Sequence, residues 1–212
     1  MENKQVAENI AANLLKIKAV KLSPKEPFTW ISGIKSPIYT DNRMTIAYPE
    51  FRQQIAEDLA NLIKENYPEA TVISGVATAG IPHATGVSNI LNLPMNYVRS
   101  KPKGHGTKRQ IEGRCQPGDK VVVIDDLIST GGSVLEAVDV VREAGAEVIG
   151  TAAIFTYNLP EADKNFPAHK TVLKTLTNYP VMIEQAQSLG YVEEEDMDLL
   201  HQWYKDPESW CK

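Results

Sequence analysis

Lys120-Val-Val-Val-Ile-Asp-Asp-Leu-Ile-Ser-Thr-Gly-Gly-Ser133 is the stretch on which the reading of this chain turns. Val121–Ile124 is an unbroken apolar, β-branched run, the pattern of a strand buried on both faces of a parallel sheet. Two adjacent carboxylates, Asp125 and Asp126, follow it at once. A loop of small residues comes next, Ser129, Thr130, Gly131, Gly132 and Ser133. Beyond it Val134, Leu135, Val138 and Val141 recur at helical spacing. The expected order is therefore buried strand, acids, small-residue loop and helix start.

Each part of that order has its own chemistry. A helix N-terminus leaves amide N–H groups without intrahelical partners and carries partial positive charge, which suits a phosphate. Gly131 and Gly132 let the backbone approach an anion closely, while Ser129, Thr130 and Ser133 add hydroxyl donors. The aspartates are acceptors. They suit the hydroxyls of a ribose, or a metal held by those hydroxyls. Alternation along a strand sends Asp125 and Asp126 different ways, so the two carboxylates are expected to do different jobs. A plain βα turn with a capping aspartate would need only one acid and one glycine. Together the residues describe a site for a phosphorylated sugar.

Two other nucleotide patterns do not fit. The loop lacks the Lys-Ser/Thr ending of a P-loop, and Gly75-Val-Ala-Thr-Ala-Gly80 continues with Ile81 where a P-loop has lysine. No Gly-x-Gly-x-x-Gly follows a strand, which leaves a dinucleotide site unsupported.

The chain has 212 residues, 42% hydrophobic and 23% charged, enough for one core with small additions. A formal net charge of −5 argues against general nucleic-acid binding. No 18-residue apolar run and no signal peptide are read, so no membrane association is expected. Cys115 and Cys211 lack metal-ligand spacing, and reduced thiols in a cytoplasm are the expectation.

Around the opening stretch the pattern alternates. Strands are expected at Thr71–Gly75, Met95–Val98, Lys120–Asp125, Glu147–Phe155 and Thr171–Thr175, with helices near 80–91, 132–144 and 179–189. That alternation predicts an α/β fold with a mainly parallel central sheet flanked by helices. Helices are also expected over 1–20 and 48–66, and short strands at Phe28–Ile31 and Pro37–Thr40 joined near Gly33. The chain is read as one domain, 1–212. In it about 1–65 contribute a small N-terminal cap, about 66–190 the core, and 191–212 an acidic amphipathic C-terminal helix that packs through Leu199, Leu200 and Trp203.

Loops at the carboxyl ends of parallel strands converge on one crevice. Ala77-Thr-Ala-Gly-Ile-Pro82 is a small-residue turn entering a helix, able to offer amides to a second anionic group. Arg99-Ser-Lys-Pro-Lys-Gly-His-Gly-Thr-Lys-Arg109 concentrates basic residues in an acidic protein, and its proline and glycines keep it irregular. Beside a sugar-phosphate site it reads as a mobile lid over a polyanion. His105 is its only side chain that titrates near neutrality. His83 reads as structural, and His169 and His201 show no convincing partners.

Val121–Ser133 resembles the phosphoribosyl-pyrophosphate-binding motif of type I phosphoribosyltransferases. Phe28-Thr-Trp-Ile-Ser-Gly-Ile-Lys-Ser-Pro-Ile-Tyr-Thr-Asp-Asn-Arg43 resembles the N-terminal segment of the orotate phosphoribosyltransferases, and Lys101-Pro-Lys-Gly-His-Gly106 their catalytic loop. With Gly75–Pro82 the similarity covers about residues 1–190. The resemblance implies the type I phosphoribosyltransferase fold, with a hood over the sheet. It implies a magnesium-dependent reaction of orotate with phosphoribosyl pyrophosphate, giving orotidine 5′-phosphate and pyrophosphate, a step of pyrimidine synthesis. It also implies a cytoplasmic homodimer whose basic loop reaches into the neighbour's site.

Carried over residue by residue, the resemblance gives Asp125 and Asp126 the ribose hydroxyls and wraps Leu127, Ile128, Ser129, Thr130, Gly131, Gly132 and Ser133 around the 5′-phosphate. Ser129, Tyr39 and Thr40 border the orotate. Arg99, Lys101, Lys103 and His105 engage the pyrophosphate, and Lys103, His105, Asp125 and Asp126 are the expected catalytic set. Magnesium arrives with the substrate, near Asp125, and no resident metal site is assigned. The chain departs from the family pattern at Ile31, Thr78-Ala79, Ser100 and Tyr157, where members often carry basic residues or a Tyr-Lys pair. Lys35, Arg43 and Lys101 are the candidate substitutes. Two alternatives remain open to the sequence. One is a phosphoribosyltransferase for another base, which would not need Ser32–Tyr39. The other is a non-catalytic sensor of phosphoribosyl pyrophosphate, expected to carry a basic nucleic-acid-binding face.

Overall fold

The computed structural model describes residues 3–30, 33–101, 110–207, 209 and 210. In chain order the elements are α1 (Lys4–Lys16), β1 (Val20–Leu22), β2 (Phe28–Thr29), β3 (Lys35–Ser36), β4 (Ile38–Thr40), α2 (Pro49–Asn66), β5 (Val72–Val76), α3 (Gly80–Leu91) and β6 (Met95–Val98). There follow β7 (Ile111–Gly113), β8 (Lys120–Ile128), α4 (Gly132–Glu143), β9 (Glu147–Thr156), α5 (Pro160–Ala168), β10 (Leu173–Asn178), α6 (Tyr179–Ser188) and α7 (Met197–Lys205). The chain forms two compact units, Ile46–Leu176, and Met1–Thr45 with Thr177–Lys212.

A six-stranded sheet in the order β10-β9-β8-β5-β6-β7 organises the larger unit. β5 pairs in parallel with β6 and with β8, and β8 in parallel with β9; β7 returns antiparallel to β6. This is the mainly parallel α/β sheet that the alternation predicts. Val121, Val122, Val123 and Ile124 are fully buried, so the apolar run is covered on both faces. Val121 and Val123 pack with Val134, Val138 and Val141 of α4, as well as with Val72 and Val76 of β5. Burying each such side chain stabilises the fold by about 1.5–3 kcal/mol. On α2 the spacing predicts an apolar face of Phe51, Ile55, Leu59 and Leu62; Phe51, Ile55 and Leu59 are buried, and Ile63 takes the last buried place while Leu62 is only half-buried.

One correction concerns the acids. β8 does not end before or at them: it runs through Ile128, with Asp125 opposite Ala153 and Leu127 opposite Phe155 of β9. Leu127 and Ile128 are therefore strand residues, and the connection to α4 is only Ser129–Gly131. The alternation expected of a strand end holds here, with Asp125 buried and Asp126 half-buried.

In the other unit, α1 buries Ala7, Ile10, Ala11, Leu14 and Leu15. Phe28–Thr29 pairs with Lys35–Ser36 around a turn at Gly33 (φ +87°), whereas Ile38–Thr40 pairs with Val20–Leu22. The expected pairing of 28–31 with 37–40 is thus replaced by two ribbons, because a three-residue strand at 20–22 is too short to announce itself by alternation. The C-terminal helix is confined to Met197–Lys205, preceded by a 3-10 turn at Glu194–Asp196. Its packing role holds: Leu200 and Trp203 are fully buried, and the Trp203 indole N–H donates to the Lys35 carbonyl at 3.0 Å. Among the described residues no helix is long and apolar enough to cross a membrane.

Candidate active site

The connection after β8 is short because α4 begins at once. Gly131 takes a left-handed conformation (φ +88°) immediately before the helix, and a Cβ built there would lie 2.7 Å from the Phe166 ring. Only glycine meets both conditions. Gly132, by contrast, faces open space, the nearest atom to such a Cβ being the Thr130 hydroxyl at 4.0 Å. The first turn of α4 thus exposes its amide end at Gly132 and Ser133, where an anion is favoured. Thr130 and Ser133 are exposed and Ser129 half-buried.

α5, which the sequence reading does not foresee, braces this loop. The Asn165 side-chain amide donates to the Thr130 carbonyl at 2.9 Å, one residue before Phe166 covers Gly131. The signal for α5 was present in the sequence as Leu159-Pro160-Glu-Ala-Asp163, a proline at the first helical position followed by acids in the first turn.

Asp125 lies within β8, three strand residues before the loop begins at Ser129, and is 8% exposed. Burial raises its carboxyl far above the ordinary carboxylate range, and the negative charge of Asp126 beside it raises it further. The Asp126 backbone N–H donates to Asp125 Oδ1 at 2.9 Å and offsets part of that rise. Such a pair readily accepts hydroxyl donors or developing positive charge.

The β5–α3 turn comes against the same place. A Cβ on Gly80 would run into the Ile124 carbonyl and approach Asp125 Cα to 3.3 Å. The peptide between Ala77 and Thr78 in this turn is cis. At the end of β6, Arg99 stands 3.5 Å from Glu112, and its backbone N–H donates to the Gln110 carbonyl at 2.9 Å. A cleft of about 60 Å³ is lined by Ala77, Arg99, Ser100, Gln110, Ser133 and Glu136, joining the turn, the β6 end and the start of α4. Asp125, Asp126, Ser129–Ser133, Arg99 and the Ala77–Gly80 turn are therefore brought to one end of the sheet. Lys101 is exposed just beyond Arg99.

Tyr39 and Thr40 belong to β4 of the smaller unit, where Tyr39 is 41% exposed and its ring lies 5.7 Å from that of Phe28. Lys103 and His105 lie outside the described residues, as do Ile31, Ser32 and Cys211. Of the candidate substitute cations, Arg43 is held by both carboxylate oxygens of Asp41, at 2.6 and 3.0 Å, while the Lys35 ammonium donates to the Thr29 hydroxyl at 2.7 Å. Tyr157 is buried.

His83 is 1% exposed, and burial pushes its imidazole down to about 4. It is a neutral core side chain, in keeping with a structural role. His169, expected to lack partners, has them: Nδ1 lies 2.9 Å from the Asn165 carbonyl and Nε2 3.7 Å from Asp139.

A model of the phosphoribosyl transferase domain matches residues 46–193. The orotate phosphoribosyltransferase of Enterococcus faecalis is 59% identical over 208 residues, spanning 98% of this chain and 99% of the relative. That of Lactiplantibacillus plantarum is 56% identical over 206 residues, 97% of each. The crystal structure of orotate phosphoribosyltransferase from Aeropyrum pernix matches with a TM-score of 0.73 at 26% identity, covering 87% of this chain and 99% of that one. The glycine-started helix, the carboxylate pair and the full-length relatives agree, and the chain belongs to the orotate phosphoribosyltransferase family.

Proposed function

We propose that the chain transfers the ribose 5-phosphate group of phosphoribosyl pyrophosphate to orotate, giving orotidine 5′-phosphate and pyrophosphate. The observation that carries this reading is the continuity of β8, Ser129–Gly131 and α4. It puts a buried Asp125 and a half-buried Asp126 on the strand that leads, through three loop residues, to an exposed helix amide end. The helix end and the Ser129, Thr130 and Ser133 hydroxyls hold the 5′-phosphate. The two aspartates accept the ribose hydroxyls.

Loss of pyrophosphate leaves C1 with oxocarbenium character and the leaving group with high negative charge. The negative charge carried by the Asp125–Asp126 pair opposes the positive charge on the ribose, and Arg99 opposes the negative charge at the end of β6. Removing one preorganised donor of this kind costs roughly 2.7–4 kcal/mol in transition-state stabilisation. Lys101, Lys103 and His105 complete the cationic lid. Tyr39 and Thr40 border the base in this reading.

The residues fit a magnesium ion that comes with its own oxygen ligands. Asp125 and Asp126 offer two carboxylates, and among the described residues no group of three His, Cys, Asp or Glu side chains is arranged to hold a metal. Bound with the diphosphate, magnesium supplies positive charge at the leaving group.

The working unit in this reading is a cytoplasmic homodimer that shares its basic loop. Mixing a Lys103→Ala chain with an Asp126→Asn chain should restore activity that neither has alone, through hybrid dimers with one intact site. Activity absent from the mixture would argue against a shared loop. The activity itself is tested with magnesium, phosphoribosyl pyrophosphate and, in turn, orotate, uracil, hypoxanthine and adenine. Loss of orotate absorbance with formation of pyrophosphate is the expected result. Turnover of another base with orotate untouched would sink the assignment.

A further inference from the structure

The basic segment is flanked by β6 and β7, the antiparallel edge of the six-stranded sheet, and the side chains of this pair divide by chemistry. In the β6–β7 ladder Val98 stands opposite Ile111 and Tyr97 opposite Glu112. The Arg99 N–H bond to the Gln110 carbonyl continues this ladder by one more pair. Val98 and Ile111 belong to the hydrophobic core. Side chains alternate along a strand, and paired residues share a face. Tyr97, Arg99, Gln110 and Glu112 therefore share the opposite face, with Gln110 directly across from Arg99 and Glu112 diagonal to it.

Both neighbours hold Arg99. Gln110 donates its side-chain amide to the Arg99 carbonyl at 3.2 Å, so the backbone of Arg99 is tied in both directions to the residue that precedes β7. Glu112 Oε1 lies 3.5 Å from Arg99 Nη1, and both side chains are partly shielded from solvent. A long flexible guanidinium is thereby aimed by a rigid strand.

We infer that Glu112 is a positioning residue, which holds the Arg99 guanidinium at the end of β6 in the orientation that receives the diphosphate of the substrate. The inference rests on the reading of Arg99 as a pyrophosphate ligand. Glu112 touches no substrate in this scheme. Its negative charge orients Arg99, and Gln110 fixes the backbone from which Arg99 projects.

The test is a double-mutant cycle on the intact protein: wild type, Glu112→Gln, Arg99→Ala and the double variant. Glu112→Gln should raise KM for phosphoribosyl pyrophosphate about three- to five-fold, the range of a partly exposed ion pair. KM for orotate and the melting temperature should not change. In the Arg99→Ala background the same substitution should have no further effect on that KM, and Glu112→Asp should fall between wild type and Glu112→Gln. Equal cost in both backgrounds, no cost in either, or tighter phosphoribosyl pyrophosphate binding by Glu112→Gln would each overturn the inference, as would an Arg99→Ala chain that binds this substrate normally. If orotate is not turned over, the reading of function fails. The cycle is then read from calorimetric binding of phosphoribosyl pyrophosphate, which judges Glu112 separately.

Discussion

The Phe166 ring occupies the space that any side chain on Gly131 would need, 2.7 Å from a Cβ built at that position. Gly131 also has φ +88°, a conformation that L side chains rarely adopt. Helix α5 and the loop before α4 are therefore fitted to each other through a missing side chain. Gly131→Ala is expected to cost about 1–3 kcal/mol of stability and to weaken phosphoribosyl pyrophosphate binding at least ten-fold. Denaturant unfolding and substrate titration on the same preparation check both. Pairing it with Phe166→Leu should recover part of the stability but not the binding, since the backbone strain remains.

Asn165→Ala removes the donor to the Thr130 carbonyl. A lost hydrogen bond of this kind costs about 1 kcal/mol. Because the bond holds the loop and not the core, KM for phosphoribosyl pyrophosphate should rise several-fold while kcat at saturation falls less. A change confined to melting temperature, with KM intact, would show that α5 does not support the loop.

Gly80→Ala tests the other side of the site. Its Cβ would collide with the Ile124 carbonyl in the middle of β8, where backbone has little room to move. Overpacking here should cost about 1–3 kcal/mol or more and displace Asp125. Lowered activity should accompany the lowered melting temperature. Full activity in a destabilised chain would separate the turn from the carboxylates.

Asp125 makes stability depend on pH. Its folded-state pKa is raised, to about 8, because burial and the Asp126 charge penalise the ionised form. A group with a raised folded-state pKa binds its proton more tightly in the folded chain than in the unfolded one. Its contribution is complete below the unfolded value of about 3.9 and is lost as pH rises through the folded-state value. Asp125→Asn, which cannot ionise, should therefore match wild type near pH 4 and exceed it at pH 9 by at least about 1 kcal/mol, while losing activity at every pH. Urea midpoints across that range decide the sign. A variant less stable than wild type at pH 9 would mean that Asp125 is held ionised by a cation.

Tyr67→Phe is the counterpart without functional effect. The Tyr67 hydroxyl reaches the Thr151 and Val172 carbonyls at 3.2 and 3.0 Å, and a side chain on Gly150 would intrude on the Tyr67 ring. Removing the hydroxyl should cost about 1–2 kcal/mol with KM values unchanged. Equal effects on binding would tie this distant contact to the site.

Much of the fold was legible because its strands are uninterrupted apolar runs and its helices carry clear stripes. Val121–Ile124 and the residues after Gly132 announced β8 and α4, and the acids with two glycines announced a sugar-phosphate site. What escaped were short or non-local features. Val20–Leu22 and Ile111–Gly113 are three residues each, too few to show a period, and their pairing depends on chain that is distant in sequence. The strand was also expected to stop by Asp125, since two carboxylates end an apolar run. Leu127 and Ile128 restore the ladder beyond them, a choice made by pairing with β9. The supports of the site were illegible for a related reason. Asn165, Phe166 and Gly80 act through contacts across 35 or more positions of chain, and no local pattern marks such residues.

The continuation of β8 past its two aspartates sets a time scale. Asp125 lies within the β8–β9 ladder, which runs on to Ile128, and directly follows the residues of β8 that are paired on both sides, so its amide can exchange with solvent only when the centre of the sheet opens. Ser129–Gly131 lies outside that ladder. Hydrogen exchange should therefore find two neighbouring segments with very different lifetimes: carboxylates that persist as long as the native state itself, and a phosphate loop that opens and closes many times within it.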